Sequence, residues 1–216
     1  ITMGEGGAVL TNKPKLKKIV ESYRDWGRDC WCAPGIDDSC GKRFNWQLGE
    51  LPNGFDHKYI YSHVGYNLKI TDMQAAIGLA QLEKLELFVK KRQDNYNYLY
   101  KKLEPLKNFL VLPEPSKNSK PSWFGFPIRI NSKTDISRND VVKYLNQKNI
   151  GTRLLFGGNL TKQPYFNDIT YRISGDLSNC DIIMNDVFWI GVQPNLNQEM
   201  MDFAIKQIFE VTKDLG

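Results

Sequence analysis

Apolar residues along the chain alternate between helical and strand-like spacing. Leu16, Ile19, Val20 and Tyr23 recur three to four residues apart, which predicts a helix over Pro14–Tyr23. Before it, Gly6-Gly7-Ala8-Val9-Leu10-Thr11 is a short apolar run after a glycine turn and predicts a buried strand. Thr71-Asp72-Met73-Gln74 has the spacing of a capping box, and Met73, Ala76, Ile77, Ala80 and Leu85 continue an apolar stripe expected to face a core. That helix is expected to run past Phe88, with a break, toward Leu103, where Pro105 ends it. Phe126-Pro127-Ile128-Arg129-Ile130 alternates as a strand, and Pro127 places it at an edge. Ser137 caps a helix through Lys148 that Gly151 ends. A helix over Asn179–Val187, an apolar run Phe188–Val192 and an amphipathic helix capped by Asn197 complete the pattern. Met201, Ala204, Ile205, Ile208 and Val211 form the apolar stripe of that last helix. Helices alternating with strands indicate a mixed α/β or α+β fold.

Between Gly27 and about Tyr66 the periodicity stops. A stretch of about forty residues rich in Gly, Asp, Asn, Pro and aromatics is unusual inside a domain and is usually functional. It contains Cys30-Trp31-Cys32 and Cys40, separated by the turn-rich Ala33-Pro34-Gly35-Ile36-Asp37-Asp38-Ser39. Thiols crowded on one loop point to a metal, because the thiolate is the ligand and a bound metal lowers the thiol pKa. A structural zinc or an iron–sulfur cluster takes four protein ligands. The fourth comes from Cys180, from His57 or His63, or from outside this chain.

Composition narrows the classes. With 216 residues, 41% of them hydrophobic, the chain is long enough for one large domain or two small ones. No run of about 18 apolar residues predicts a membrane span, and no signal peptide opens the chain. Starting at Ile1 inside structured sequence, it is expected to be a fragment or processed product. The net charge of +5 is modest. The basic runs Lys13–Lys18 and Lys90-Lys91-Arg92 are expected to be solvated helix faces, and no nucleic-acid motif accompanies them. Four cysteines without a secretion signal favour a reducing, cytoplasmic compartment and a metal over a disulfide framework.

Three motifs remain: Gly4-Glu5-Gly6-Gly7; Gly65-Tyr66-Asn67 leading into Thr71-Asp72-Met73-Gln74-Ala75-Ala76-Ile77-Gly78-Leu79-Ala80-Gln81-Leu82; and Gly151-Thr152-Arg153-Leu154-Leu155-Phe156-Gly157-Gly158-Asn159. Each alone reads as a turn or loop. In order and spacing they resemble the sugar aminotransferases of the DegT/DnrJ/StrS family across essentially the whole chain. The segments Arg24–Gly35 and Cys40-Gly41-Lys42-Arg43-Phe44 are not aminotransferase features. With Asp56-His57-Lys58-Tyr59 and Pro121–Ile128, they resemble the iron–sulfur nucleotide-sugar 3-dehydrases within that family.

The resemblance implies an α/β fold of the fold-type I pyridoxal-phosphate transferase kind, that of aspartate aminotransferase. Residues 1–75 would be the end of the cofactor-binding large domain. Residues 76–216 would be the long linking helix and the C-terminal small α/β domain. It implies a pyridoxamine/pyridoxal 5′-phosphate cofactor and a 2Fe–2S cluster held by Cys30, Cys32 and Cys40, with the fourth cysteine and a histidine base upstream of Ile1. Cys180 is then a structural cysteine. Asn67 matches the residue that reaches across a homodimer to the cofactor phosphate. Phe124 and Arg153 are expected at the substrate, and Trp26 and Trp31 are expected to shield the cluster. The implied reaction removes the C3 hydroxyl of CDP-4-keto-6-deoxy-D-glucose on the way to 3,6-dideoxyhexoses of lipopolysaccharide, with electrons from an NADH-dependent iron–sulfur flavin reductase. No nucleic-acid or membrane partner is expected, and the fragment alone is expected to be inactive. Two alternatives stay open: a nucleotide-sugar aminotransferase of the same family, and a non-catalytic metal-binding module.

Overall fold

The structure, a computed structural model, describes residues 1–33 and 35–214; Pro34 of the turn-rich segment lies outside the described residues. The chain divides into two compact units, Ile1–Glu83 and Lys84–Gly216.

In the first unit, α1 spans Pro14–Arg24, with proline in its first turn, where the missing N–H would be unpaired in any case. None of its residues is buried, so the Leu16, Ile19 and Tyr23 stripe is an exposed apolar face rather than a core face. Gly6–Thr11 forms no strand, and Leu10 is 91% exposed. A strand needs a partner for its backbone groups, and among the described residues none lies alongside.

The long loop is closed at its base by backbone pairing. Asp25 bridges Asn67 and Arg28 bridges Tyr61, both antiparallel. Trp26 N–H donates to Tyr66 O at 2.8 Å, and Tyr66 N–H donates to Tyr23 O at 2.7 Å. The two chain segments approach so closely that only glycine fits: a Cβ on Gly27 would lie 1.8 Å from His63 O, and Gly27 has φ +81°. Within the loop, one 3-10 turn, His57–Tyr59, is capped by the Asp56 carboxylate, which accepts from Lys58 N–H.

Helix α2, Asp72–Leu82, carries the predicted capping box: Gln74 N–H donates to Thr71 Oγ1 at 3.3 Å and Thr71 N–H donates to Gln74 Oε1 at 2.8 Å. Its stripe is not a core face, however, since only Gly78 is buried and Met73, Ile77 and Leu82 are exposed. The anticipated break falls at Glu83–Lys84, after which α3 runs Leu85–Leu103.

The second unit is a four-stranded antiparallel sheet with helices on it. The strands are β1 (Leu110–Val111), β2 (Gly125–Ile130), β3 (Thr152–Leu154) and β4 (Val187–Gly191), in the order β1-β2-β4-β3. Strand β2 is therefore internal, but β1 reaches only Arg129 and Ile130; at Pro127 it has a partner on the β4 side alone. The edge assignment from Pro127 thus holds locally. Phe126, Ile128 and Ile130 point into the core, where they meet Phe188 and Ile190 of β4, Leu99 and Leu103 of α3, Val141 and Leu145 of α4 (Arg138–Gln147), and Ile205, Ile208 and Val211 of α6 (Gln198–Asp214). Each such side chain fully buried contributes about 1.5–3 kcal/mol. Helix α5 spans Ser178–Asp186.

Of the expected helix caps, one forms as the sequence implies and two differ. Asn197 caps α6 through Met200 N–H at 2.9 Å. Ser137 precedes α4 without a side-chain cap bond. Asn149 (φ +59°), not Gly151, ends α4, with Ile150 N–H donating back to Leu145 O at 2.9 Å.

Candidate functional site

In the first unit, Cys30, Cys32 and Cys40 line one pocket with Asp38, Arg43, His57 and Lys58. All three thiols are free and half-buried. Hydrogen bonding from the Ser39 hydroxyl, then from the Cys40 backbone, pulls the Cys32 thiol down to about 7, while burial pushes Cys30 up. Cys32 is thus a readier thiolate than Cys30. Among the described residues, no three His, Cys, Asp or Glu side chains converge closely enough to hold a single metal ion.

The pocket wall is braced by charge and by aromatic rings. Arg43 forks onto Asp56 (Nε–Oδ1 3.0 Å, Nη2–Oδ2 2.7 Å), and Lys58 pairs with Asp37. These contacts hold the carboxyls of Asp56 and Asp37 below the usual range. His57, only 1% exposed, meets Asp29 Oδ2 through Nε2 at 3.0 Å, while its backbone N–H donates to Arg43 O at 2.8 Å. Its ring stacks on Trp46 at 4.8 Å and meets the edge of Trp31 at 5.5 Å. Trp31 thus packs on His57 at the edge of its ring, whereas Trp26 stands in a left-handed conformation with the Arg28 guanidinium over its ring. His63 packs on Tyr23 and meets Ser22 Oγ at 3.3 Å, a structural environment.

Asn67 is exposed at the base of the loop, its backbone bridged to Asp25. Asp25 is itself gripped by Arg24 through two 2.9 Å hydrogen bonds, which lower the Asp25 pKa and raise that of Arg24.

In the second unit, the structure brings Phe124 and Arg153 to one indole. Phe124, 67% exposed, lies 5.2 Å from the Trp189 ring and 6.3 Å from Phe156. Arg153 is the cross-strand partner of Trp189, so their side chains share a sheet face. Trp189 Nε1–H donates to Leu154 O at 3.1 Å. Gly125 leaves room for this ring, since a Cβ there would come within 2.3 Å of Trp189 Cε3. Arg153 and Trp189 also line a cavity of about 520 Å³ in which, among the described residues, Arg153 is the one ionisable side chain. Cys180 lies half-buried in α5.

The sequence offers His57 as a candidate fourth ligand and does not single out Trp46 or Trp189. Asp29-Cys30 and Asp56-His57 both stand in the quoted motifs. Their pairing across 28 residues has no local signal.

The chain matches the model of the DegT/DnrJ/EryC1/StrS aminotransferase family over residues 1–209. It is 58% identical over 210 residues to the lipopolysaccharide biosynthesis protein RfbH of Salmonella typhimurium, covering 97% of this chain and 48% of that protein. To the dTDP-4-dehydro-2,6-dideoxy-D-glucose 3-dehydratase of Saccharopolyspora spinosa it is 50% identical, covering 97% of this chain and 45% of that one. The chain therefore spans about half the length of these relatives. An Escherichia coli GDP-4-keto-6-deoxy-D-mannose-3-dehydratase structure with bound hydrated PLP superposes with a TM-score of 0.73 at 20% identity, over 92% of this chain and 49% of that one. That likeness shows the α/β aminotransferase-type fold. On the match across nearly its whole length, the chain belongs to the DegT/DnrJ/EryC1/StrS aminotransferase family.

Proposed function

We propose that this chain is the C-terminal part of a pyridoxamine-phosphate and 2Fe–2S dependent dehydrase that removes the C3 hydroxyl of CDP-4-keto-6-deoxy-D-glucose in 3,6-dideoxyhexose biosynthesis. Residues 1–75 close the cofactor-binding domain and residues 76–216 form the linking helix and small domain. The observation that carries the reading is three free thiols lining one pocket in a chain of this family. The identity to a lipopolysaccharide biosynthesis protein and to a sugar 3-dehydratase supports it.

A 2Fe–2S cluster takes four thiolates shared between two irons; Cys30, Cys32 and Cys40, which line one pocket, would be three of them. The fourth ligand comes from the longer chain. When bound, pyridoxamine phosphate supplies an amine and an electron-accepting ring, and the cluster supplies single electrons from an NADH-dependent iron–sulfur flavin reductase.

The chain's own residues bind and orient. Cys30, Cys32 and Cys40 hold iron as thiolates. The Asn67 amide donates to the cofactor phosphate of the partner subunit in a homodimer. The Arg153 guanidinium pairs with the substrate diphosphate through its forked donors. Phe124, Trp189 and Phe156 gather three aromatic rings for the substrate to pack on, and Phe124 presents no group able to shuttle protons.

The test is turnover by the full-length protein supplied with the cofactor, the reductase and NADH. Loss of the C3 hydroxyl from the CDP-sugar, faster than from dTDP- or GDP-linked 4-keto sugars, is expected. Amination at C4 with no dehydration would overturn the reading in favour of an aminotransferase.

A further inference from the structure

Two lysines at the cysteine loop stand over tryptophans instead of carboxylates. Nζ of Lys18, on α1, lies 4.8 Å from the centroid of the Trp31 ring, and Nζ of Lys42 lies 5.7 Å from that of Trp46. The two indoles meet edge-on at 5.7 Å, so the four side chains form one continuous cluster. Lys18, Trp31 and Lys42 are exposed. Carboxylates of the same helix and loop are turned elsewhere: Glu21 to Lys17, Asp37 to Lys58 and Arg43, Asp56 to Arg43, and Asp29 to His57. Among the described residues, neither Lys18 nor Lys42 is in an ion pair.

A ring face attracts an ammonium but carries no charge to cancel it, and the ammonium keeps N–H donors for a further partner. The cluster therefore presents two uncancelled positive charges on an aromatic surface. Tryptophan is enriched at protein interfaces and often dominates their binding. Trp31 sits between Cys30 and Cys32, and Lys42 follows Cys40 by two residues. The chain itself thus joins this surface to all three thiols. A donor protein seated on it brings its redox centre close to a cluster held there, and electron transfer slows steeply with distance.

Resting on the iron–sulfur reading, we propose that Lys18, Lys42, Trp31 and Trp46 form the docking surface for the electron-donating reductase, met there by a carboxylate-rich patch of that protein. Redox partners meet over small interfaces, and charge complementarity sets how fast they find each other. In each encounter the iron–sulfur centre of the reductase loses one electron and the cluster gains it; no bond forms or breaks. None of the four residues is a ligand of the cluster.

The experiment uses the full-length holoenzyme, reconstituted with iron and sulfide, and the NADH-dependent iron–sulfur flavin reductase. Lysine acetylation read by mass spectrometry is run on the unsubstituted holoenzyme, alone and with the reductase. Lys18 and Lys42 are expected to react in the free enzyme and to be protected in the complex. The association rate is then measured for Lys18→Glu/Lys42→Glu, for Lys18→Met/Lys42→Met, and for Lys117→Glu, which alters an exposed lysine of the other unit. At low salt the double substitution to glutamate should lower the rate about tenfold or more. The double substitution to methionine should lower it less, and Lys117→Glu should match the parent, all with the parent's iron and sulfide content. Lys18 and Lys42 that stay unprotected in the complex, or that are already unreactive in the free holoenzyme, overturn the proposal whatever the variants do. Equal rates in the paired variants and in Lys117→Glu overturn it too, and leave the iron–sulfur reading intact. An unsubstituted protein without iron and sulfide overturns the reading and the proposal together.

Discussion

The Asp29 carboxylate lies 3.0 Å from Nε2 of His57, so the residue preceding Cys30 holds a fully buried imidazole at the wall of the thiol pocket. Asp29→Ala leaves that ring nitrogen without its acceptor. The expected loss is about 1–3 kcal/mol, the cost of an unsatisfied buried polar group. Asp29→Asn keeps an acceptor oxygen and loses less. Urea denaturation of the three proteins checks the order; equal stability of Asp29→Ala and the parent contradicts it.

The Arg24–Asp25 pair makes the base of the loop acid-sensitive. The Asp25 carboxyl titrates lower in the folded protein than in the unfolded one, chiefly through hydrogen bonding to Arg24. The unfolded state then binds more protons as the medium turns acid. The contribution is complete above the ordinary carboxylate value of about 4 and is lost as pH falls through the lowered folded value. With Arg24 39% exposed, solvent screening limits it to less than about 1 kcal/mol. Denaturation of the parent and Asp25→Asn at pH 7 and pH 3 should give curves whose separation is smaller at pH 3 than at pH 7. A gap that widens in acid refutes the assignment.

Thr71 holds the start of α2 through a reciprocal bond pair with Gln74. Thr71→Ala is expected to cost about 1 kcal/mol and Thr71→Ser much less. Thermal denaturation followed by circular dichroism reads the difference, and an alanine variant as stable as the serine one contradicts the cap.

The capping box illustrates what the sequence exposes. Its two bonds join residues three apart, so Thr71 and Gln74 announce them by spacing alone. The same holds for Asn197 before α6, whose cap reaches Met200 three residues on. The stripes of α1 and α2 announce an apolar face but not what covers it, and Leu16, Met73 and Ile77 are exposed in this chain. Gly6–Thr11 carries a strand pattern without a strand, because a ladder depends on a second segment. Strands β1 and β3 are two and three residues long and offer too few positions for alternation to register. The three thiols are legible from proximity in sequence, and His57 as a candidate ligand beside them; its contacts with Asp29 and Trp46 are not, since they join residues 28 and 11 apart by three-dimensional packing alone.

Gly125 is required by the Trp189 ring rather than by its own backbone. Gly125→Ala would put a methyl 2.3 Å from Trp189 Cε3 and push the indole from Phe124 and Arg153. A loss of about 1–3 kcal/mol is expected from this overpacking. In the full-length enzyme a raised KM for the nucleotide sugar should accompany it. Unchanged stability and KM would show that the ring moves freely and positions nothing.

The central claim is that Cys30, Cys32 and Cys40 hold an iron–sulfur cluster, and metal analysis of the anaerobically reconstituted full-length protein tests it most directly. The account predicts a 2Fe–2S complement of iron and acid-labile sulfide per chain, largely lost in each of Cys30→Ser, Cys32→Ser and Cys40→Ser and retained in Cys180→Ser. Stoichiometric zinc without sulfide, or a full iron and sulfide complement in all three loop variants, would contradict it.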